Sequence, residues 1–257
     1  MKEKKAILVV SSGTSRPEAI EKAVGGIENR IRESFPDMRI CRAFSSRRII
    51  HKLRQKENLQ IDNVEEALAR LHADGVEQVI VQPTHVLNGI ENDRMLECLM
   101  EYMGDFSRIR IGRPLLSSAD DYKKVVHAVM EEAPLNADET LVLVGHGTDH
   151  HANSAYPTLE YTFHALGYER VLVGTIGGFP ELKNVITKLK ISGYTKVLLM
   201  PFMIAAGKHA AADMAGGEDS WMSALRAEGC ETRAVLTGLG EFKGIQNLFV
   251  EHIEDVL

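Results

Sequence analysis

Two of the ten histidines stand where short apolar runs end. His146 closes the run in LVLVGHGTDHHANSAYP (141–157), and His209 follows a second run in LMPFMIAAGKHAAADM (199–214). Imidazole binds divalent cobalt, nickel, zinc or iron, and it also takes up a proton near neutral pH. Either histidine alone reads equally well as a residue that caps a loop. As a pair, 63 residues apart but both beyond strand ends of one half, they can converge on one ion. Asp213, four residues after His209, shares its helical face and can orient the imidazole.

Other histidines are weaker candidates. His150 and His151 precede a helix start with Asn153 or Ser154 as cap and Pro157 in the first turn, and read as exposed loop residues. His85, in QPTHVLNG, is the first-half counterpart at a strand end, where a cleft-lining role and a structural one stay open. His51, His72, His127, His164 and His252 fall inside helical patterns and read as surface or packing residues.

Several chemistries are excluded. No phosphate-binding G-x-x-x-x-G-K-[ST] is present, and GTIGGFP and TGLGEFKG both miss the dinucleotide spacing. No G-x-S-x-G elbow marks a serine hydrolase. A net charge of −6 without a basic face argues against nucleic acid, while a local basic patch can still hold an anionic small molecule. No 18-residue apolar stretch suits a membrane span. The apolar run in MKEKKAILVVSSG is short for a signal peptide and reads as a first buried strand. Cys41, Cys98 and Cys230 are far apart and odd in number, which fits a reducing compartment, so the cytoplasm is expected.

The elements that must position these residues alternate along the chain. Strands are expected at 5–11, 38–43, 77–82, 108–112, 140–145, 170–175, 196–201 and 232–237, with helical spacing between them, as in 64–75, 121–132 and 181–193. Unbroken Val/Ile/Leu runs imply strands buried on both faces, hence parallel sheets covered by helices. The halves also repeat: KAILVVSSGTS rhymes with TLVLVGHGT, GVEQVIVQPTHVLNG with GYTKVLLMPFMIAAG, and 108–129 with 231–252. The expected fold is therefore α/β, two similar doubly wound parallel-sheet lobes related by internal duplication, spanning 1–133 and 134–257. Ligands of such sheets bind beyond the carboxyl ends of the strands, where Ser11–Arg16, His85, His146, Thr175–Pro180 and His209 all fall.

On VGHGTDHHANSAYPTLEYTFHALG, VGTIGGFPEL, LMPFMIAAGKHAAADMAGGEDSW and QPTHVLNGIE, the sequence resembles the anaerobic sirohydrochlorin cobaltochelatases, over nearly its whole length. The resemblance implies ATP-independent insertion of a divalent metal into sirohydrochlorin in cobalamin biosynthesis, with Co²⁺ as first choice and Fe²⁺ or Ni²⁺ as alternatives. A non-catalytic carrier of tetrapyrrole or metal is a further alternative. No cofactor beyond the substrate metal is implied, and a homo-oligomer is left open. The family's two metal-binding histidines fall on His146 and His209, with catalysis expected from the same pair. Its acidic ligand falls on Gly177, so the third ligand is missing; Glu181, four residues on, and Glu91, across the cleft, are the candidate substitutes. The eight carboxylates of the substrate call for cationic and hydroxyl donors, for which Ser11, Thr14, Arg16 and Lys208 are candidates, with His85 and Glu91 lining the cleft.

Overall fold

The computed structural model describes residues 4–257, apart from the side chains of residues 208–210. Among the described residues, eight strands form two four-stranded sheets in which every neighbouring pair is parallel. The first sheet holds β1 (Lys5–Ser11), β2 (Arg39–Phe44), β3 (Gln78–Pro83) and β4 (Arg108–Ile111), in the order β2-β1-β3-β4. The second holds β5 (Thr140–Gly145), β6 (Val171–Thr175), β7 (Lys196–Pro201) and β8 (Glu231–Ala234), in the order β6-β5-β7-β8. The repeat in the sequence is thus a repeat in space. Each sheet starts in its middle and winds outward in the same sense.

Helices fill the crossovers. In the first half, α1 (Pro17–Ala19) passes through a π-helical turn (Ile20–Val24) into α2 (Gly25–Ser34). Then come α3 (Arg47–Lys56), α4 (Val64–Ala73), α5 (Ile90–Tyr102) and α6 (Ala119–Glu132). The second half has α7 (Ala155–Ala165), α8 (Leu182–Ser192), α9 (Lys208–Ala215), α10 (Trp221–Ala227) and α11 (Lys243–Glu254). Their starts are written in the sequence. Asn63 with Glu66, and Ser118 with Asp121, form capping boxes on α4 and α6, while Ser220 caps α10. None of the described helices is long and apolar enough to cross a membrane.

Alternation along the strands divides the core. In β1, Ala6, Leu8 and Val10 pack with Leu68, Leu71, Met95 and Leu99 of α4 and α5. In β5, Val142 and Val144 pack with Val185, Leu189, Trp221 and Leu225. The other face of both strands, Ile7 and Val9 with Leu141 and Leu143, belongs to a single core shared by the two halves. That shared core also takes Val125, Val126 and Val129 from α6 and Ile245, Phe249 and Ile253 from α11. The last helix of each half crosses over: α11 packs on α2 and β3, and α6 packs on α7 and α11. At the crossing the backbones are so close that a Cβ on Gly244 would stand 2.5 Å from Ala128 Cβ.

A buried clamp holds this crossing. His252 and Asp121 are both fully buried, and His252 Nε2 lies 3.0 Å from Asp121 Oδ1 while its Nδ1 lies 2.9 Å from the Arg113 carbonyl. Arg113 donates to the same carboxylate from Nε (3.1 Å) and Nη2 (3.2 Å). Burial pushes the Asp121 carboxyl up, but hydrogen bonds from Arg113, His252 and Ser118 outweigh it and bring it to about 2. Burial holds His252 below its ordinary value. From sequence His252 is only a helical residue; in the fold it fastens the end of the chain to α6.

Candidate functional site

The Gly-His-Gly corner after β5 follows from its neighbours. A Cβ on Gly145 would lie 2.2 Å from the Tyr156 ring, which packs there, and the Tyr156 hydroxyl accepts a hydrogen bond from Gly147 N at 3.4 Å. Gly147 has φ +78°, and a Cβ on it would lie 2.6 Å from Gly178 N. The residue between the two glycines has nowhere to go but outward, and His146 is exposed. Its Nδ1 is 3.0 Å from the Gly147 carbonyl. A carbonyl only accepts, so Nδ1 carries the proton and donates. Nε2 then keeps its lone pair for a metal or a proton.

The β6–α8 loop lies alongside. Gly177 donates its N–H to the His146 carbonyl at 2.8 Å, and Ile176 N donates to Gly145 O at 3.0 Å. A Cβ on Gly177 would meet only that His146 carbonyl, at 3.5 Å, which is an ordinary contact. The position beside His146 is therefore open, and a side chain fits it. Glu181 does not fill it: it caps α8, with its carboxylate exposed and 2.9 Å from Lys183 Nζ. A recess of about 780 Å³ opens between these two loops, lined by Asp149, His151, Gly177, Phe179 and Glu181 among others. It does not include His146.

Beyond β7 the chain runs to Gly207, which begins α9. The side chains of Lys208 and His209 lie outside the described residues. The loop before them touches the first half: a Cβ on Gly207 would stand 3.2 Å from Thr14 Oγ1, and Arg16 Nη1 donates to Ala206 O at 3.5 Å. Arg16 keeps a partly exposed guanidinium at this junction. Ser11 and Thr14 are buried, and their hydroxyls accept from Gly13 N and Arg16 N, so both shape the turn from within. Among the described residues no three His, Cys, Asp or Glu side chains are grouped to hold a metal ion.

The first half places two residues on the matching rim. His85 is 5% exposed, with neither ring nitrogen paired among the described residues, and burial pulls its imidazole down to about 4. It is neutral at pH 7. Glu91 beside it is half-buried and accepts from Ser45 Oγ at 2.8 Å. The duplication makes Glu91 the partner of His209. Pro83 and Pro201 end β3 and β7, Gly89 and Gly207 precede α5 and α9, and Glu91 and His209 are each the second residue of the helix. One lobe thus carries an imidazole and the other a carboxylate at equivalent places.

Two residues gain a role that their sequence context hid. His150 is not a free loop histidine: its Nε2 lies 3.2 Å from Asp93 Oδ2, on α5 of the other half. His151 beside it is exposed.

Residues 5–257 match the family model described as Cobalt chelatase (CbiK). The chain belongs to that family. A sirohydrochlorin cobaltochelatase of Salmonella typhimurium is 39% identical over 256 residues, covering 99% of this chain and 97% of its own. The sirohydrochlorin cobaltochelatase CbiKC of Nitratidesulfovibrio vulgaris is 31% identical, covering 97% of this chain and 89% of its own. Among solved structures, SirB from Bacillus subtilis with Fe³⁺ superposes with a TM-score of 0.67 at 17% identity, over 98% of this chain and 94% of that one. At that identity the likeness concerns the fold, two similar α/β lobes. This member of the cobalt chelatase family carries glycine, with an open Cβ position, where the resemblance places an acidic ligand.

Proposed function

We propose that the chain is a sirohydrochlorin cobaltochelatase: it inserts Co²⁺ into sirohydrochlorin without ATP, and the metal is a substrate. The observation that carries this is full-length membership of the cobalt chelatase family, coupled to an exposed histidine whose Nε2 is free at the strand-end rim. No cofactor beyond the metal enters the reaction. His146 and His209 present the ion from the second lobe, and the tetrapyrrole lies against the rim between the lobes. As the metal passes to the four pyrrole nitrogens, two N–H protons must leave. The His146 Nε2 that has released the metal takes one, and its Nδ1–H, held by the Gly147 carbonyl, spreads the charge. Glu91 on the first lobe supplies the carboxylate that position 177 lacks, and takes the second proton. Arg16 and Lys208 meet substrate carboxylates, Arg16 from its half-exposed position between the lobes.

The open position at Gly177 favours one alternative, a different preferred ion: with one anionic ligand fewer beside His146, Fe²⁺ or Ni²⁺ could displace Co²⁺ as the ion used. Anaerobic absorbance spectra of sirohydrochlorin mixed with each ion and a catalytic amount of protein separate the cases. Conversion with Co²⁺ above the uncatalysed rate is the expected result. Conversion only with Fe²⁺ or Ni²⁺ reassigns the metal, and a stoichiometric shift without metal insertion makes the protein a carrier.

A further inference from the structure

His150 and Asp93 join the two halves at the reaction rim. The His150 ring is largely shielded, and its Nδ1 accepts a hydrogen bond from Ala152 N at 3.2 Å. Nδ1 therefore has no proton in the neutral ring, and Nε2 has one to donate to Asp93 Oδ2, 3.2 Å away. The loop beneath is fixed as well: His150 N donates to Thr148 Oγ1 at 3.1 Å, and the ring rests on His151 with centroids 3.9 Å apart. The backbones also come close, since a Cβ on Gly89 would touch Ala152 Cβ at 4.0 Å.

We propose that this contact is a strut that sets the distance between the lobes across the reaction site, with His150 a positioning residue for metal insertion. His150 is on the loop that begins with His146, and Asp93 is in the first turns of the helix that carries Glu91. The strut thus ties the metal-presenting histidine to the carboxylate of the other lobe. Near the other end of the rim the lobes also meet, where Arg16 Nη1 donates to Ala206 O at the longer distance of 3.5 Å and a Cβ on Gly207 would stand 3.2 Å from Thr14 Oγ1. A ligand role for His150 does not fit, because one ring nitrogen is spent on Ala152 and the other donates to Asp93. Misplacement by about 1 Å of a group aligned with reacting atoms costs up to roughly a hundredfold in rate. This role rests on the chelatase reading above.

The test uses His150→Ala, Asp93→Ala, the double variant and His150→Gln, whose amide can still donate. Four quantities are measured: kcat and KM for cobalt insertion, Co²⁺ affinity, and melting temperature. The strut requires each alanine variant to lose roughly tenfold or more in kcat. Co²⁺ affinity and melting temperature stay put, the double variant is no worse than either single, and His150→Gln recovers most of the loss. Multiplying losses, a fall in Co²⁺ affinity, or an unchanged kcat overturns it. If the wild-type protein inserts no metal at all, the chelatase reading fails separately. Nitrogen NMR of the His150 ring then still decides the contact: a proton on Nε2 whose resonance moves in Asp93→Ala supports it, and a proton on Nδ1 refutes it.

Discussion

Gly177 N–H donates to the His146 carbonyl at 2.8 Å, which puts a residue without a side chain directly against the exposed histidine. The open space at its Cβ makes this the place to add a ligand. Gly177→Glu is expected to fold normally and to raise Co²⁺ affinity by at least roughly tenfold, since even groups one step removed from a metal carry that much. Titration of the apo-protein with Co²⁺ measures it. Unchanged affinity would mean that another carboxylate, Glu91 foremost, already occupies the ion.

His146→Ala should abolish cobalt insertion and leave the fold intact. The imidazole is exposed and its one hydrogen bond runs to the adjacent Gly147 carbonyl, so the change in stability stays within about 0.5 kcal/mol. Turnover and a melting curve on the same preparation check both halves of the statement. His209→Ala should match it in activity.

The duplicated α/β architecture was legible because the strands are buried on both faces, so Leu141–Val144 and Val197–Met200 appear as unbroken apolar runs. His146 was legible for the same reason, as the first polar residue after such a run. What stayed hidden depends on contacts between halves. Asp93 and His150 are each ordinary surface-type residues in their own segments, and only the docking of α5 against the β5–α7 loop pairs them. The exchange of α6 and α11 was equally invisible, because an amphipathic stripe states that a helix is covered without stating by which sheet.

The buried neutral His85 predicts an acid limb in stability. Burial lowers its folded value to about 4 from 6.5, so the unfolded chain takes up the proton first as the pH falls. Its contribution is complete above 6.5 and is lost on the way down to about 4, amounting to about 3 kcal/mol. Urea midpoints at neutral pH and near pH 4 should therefore fall further for the wild-type protein than for His85→Gln. Parallel declines would place the titration elsewhere.

Asp121→Ala should be the most damaging of these changes to stability. It leaves Arg113 and His252 facing a buried void, and breaking a buried pair in this way costs about 3–5 kcal/mol. Denaturant unfolding measures it. A loss below about 1 kcal/mol, the scale of an exposed ion pair, would contradict the clamp.

The crossing of α6 and α11 has a consequence for how this molecule can be divided or diversified. Cut between residues 133 and 138, the amino-terminal piece would lose the helix that roofs α2 and β3, and the carboxyl-terminal piece would lose the one packed on α7. Each fragment would display the apolar side of its sheet to water until it met the other. The sequence reads as two copies in tandem, but the packing makes them an obligate pair written on one polypeptide: deleting, shuffling or evolving one copy alone would expose its counterpart.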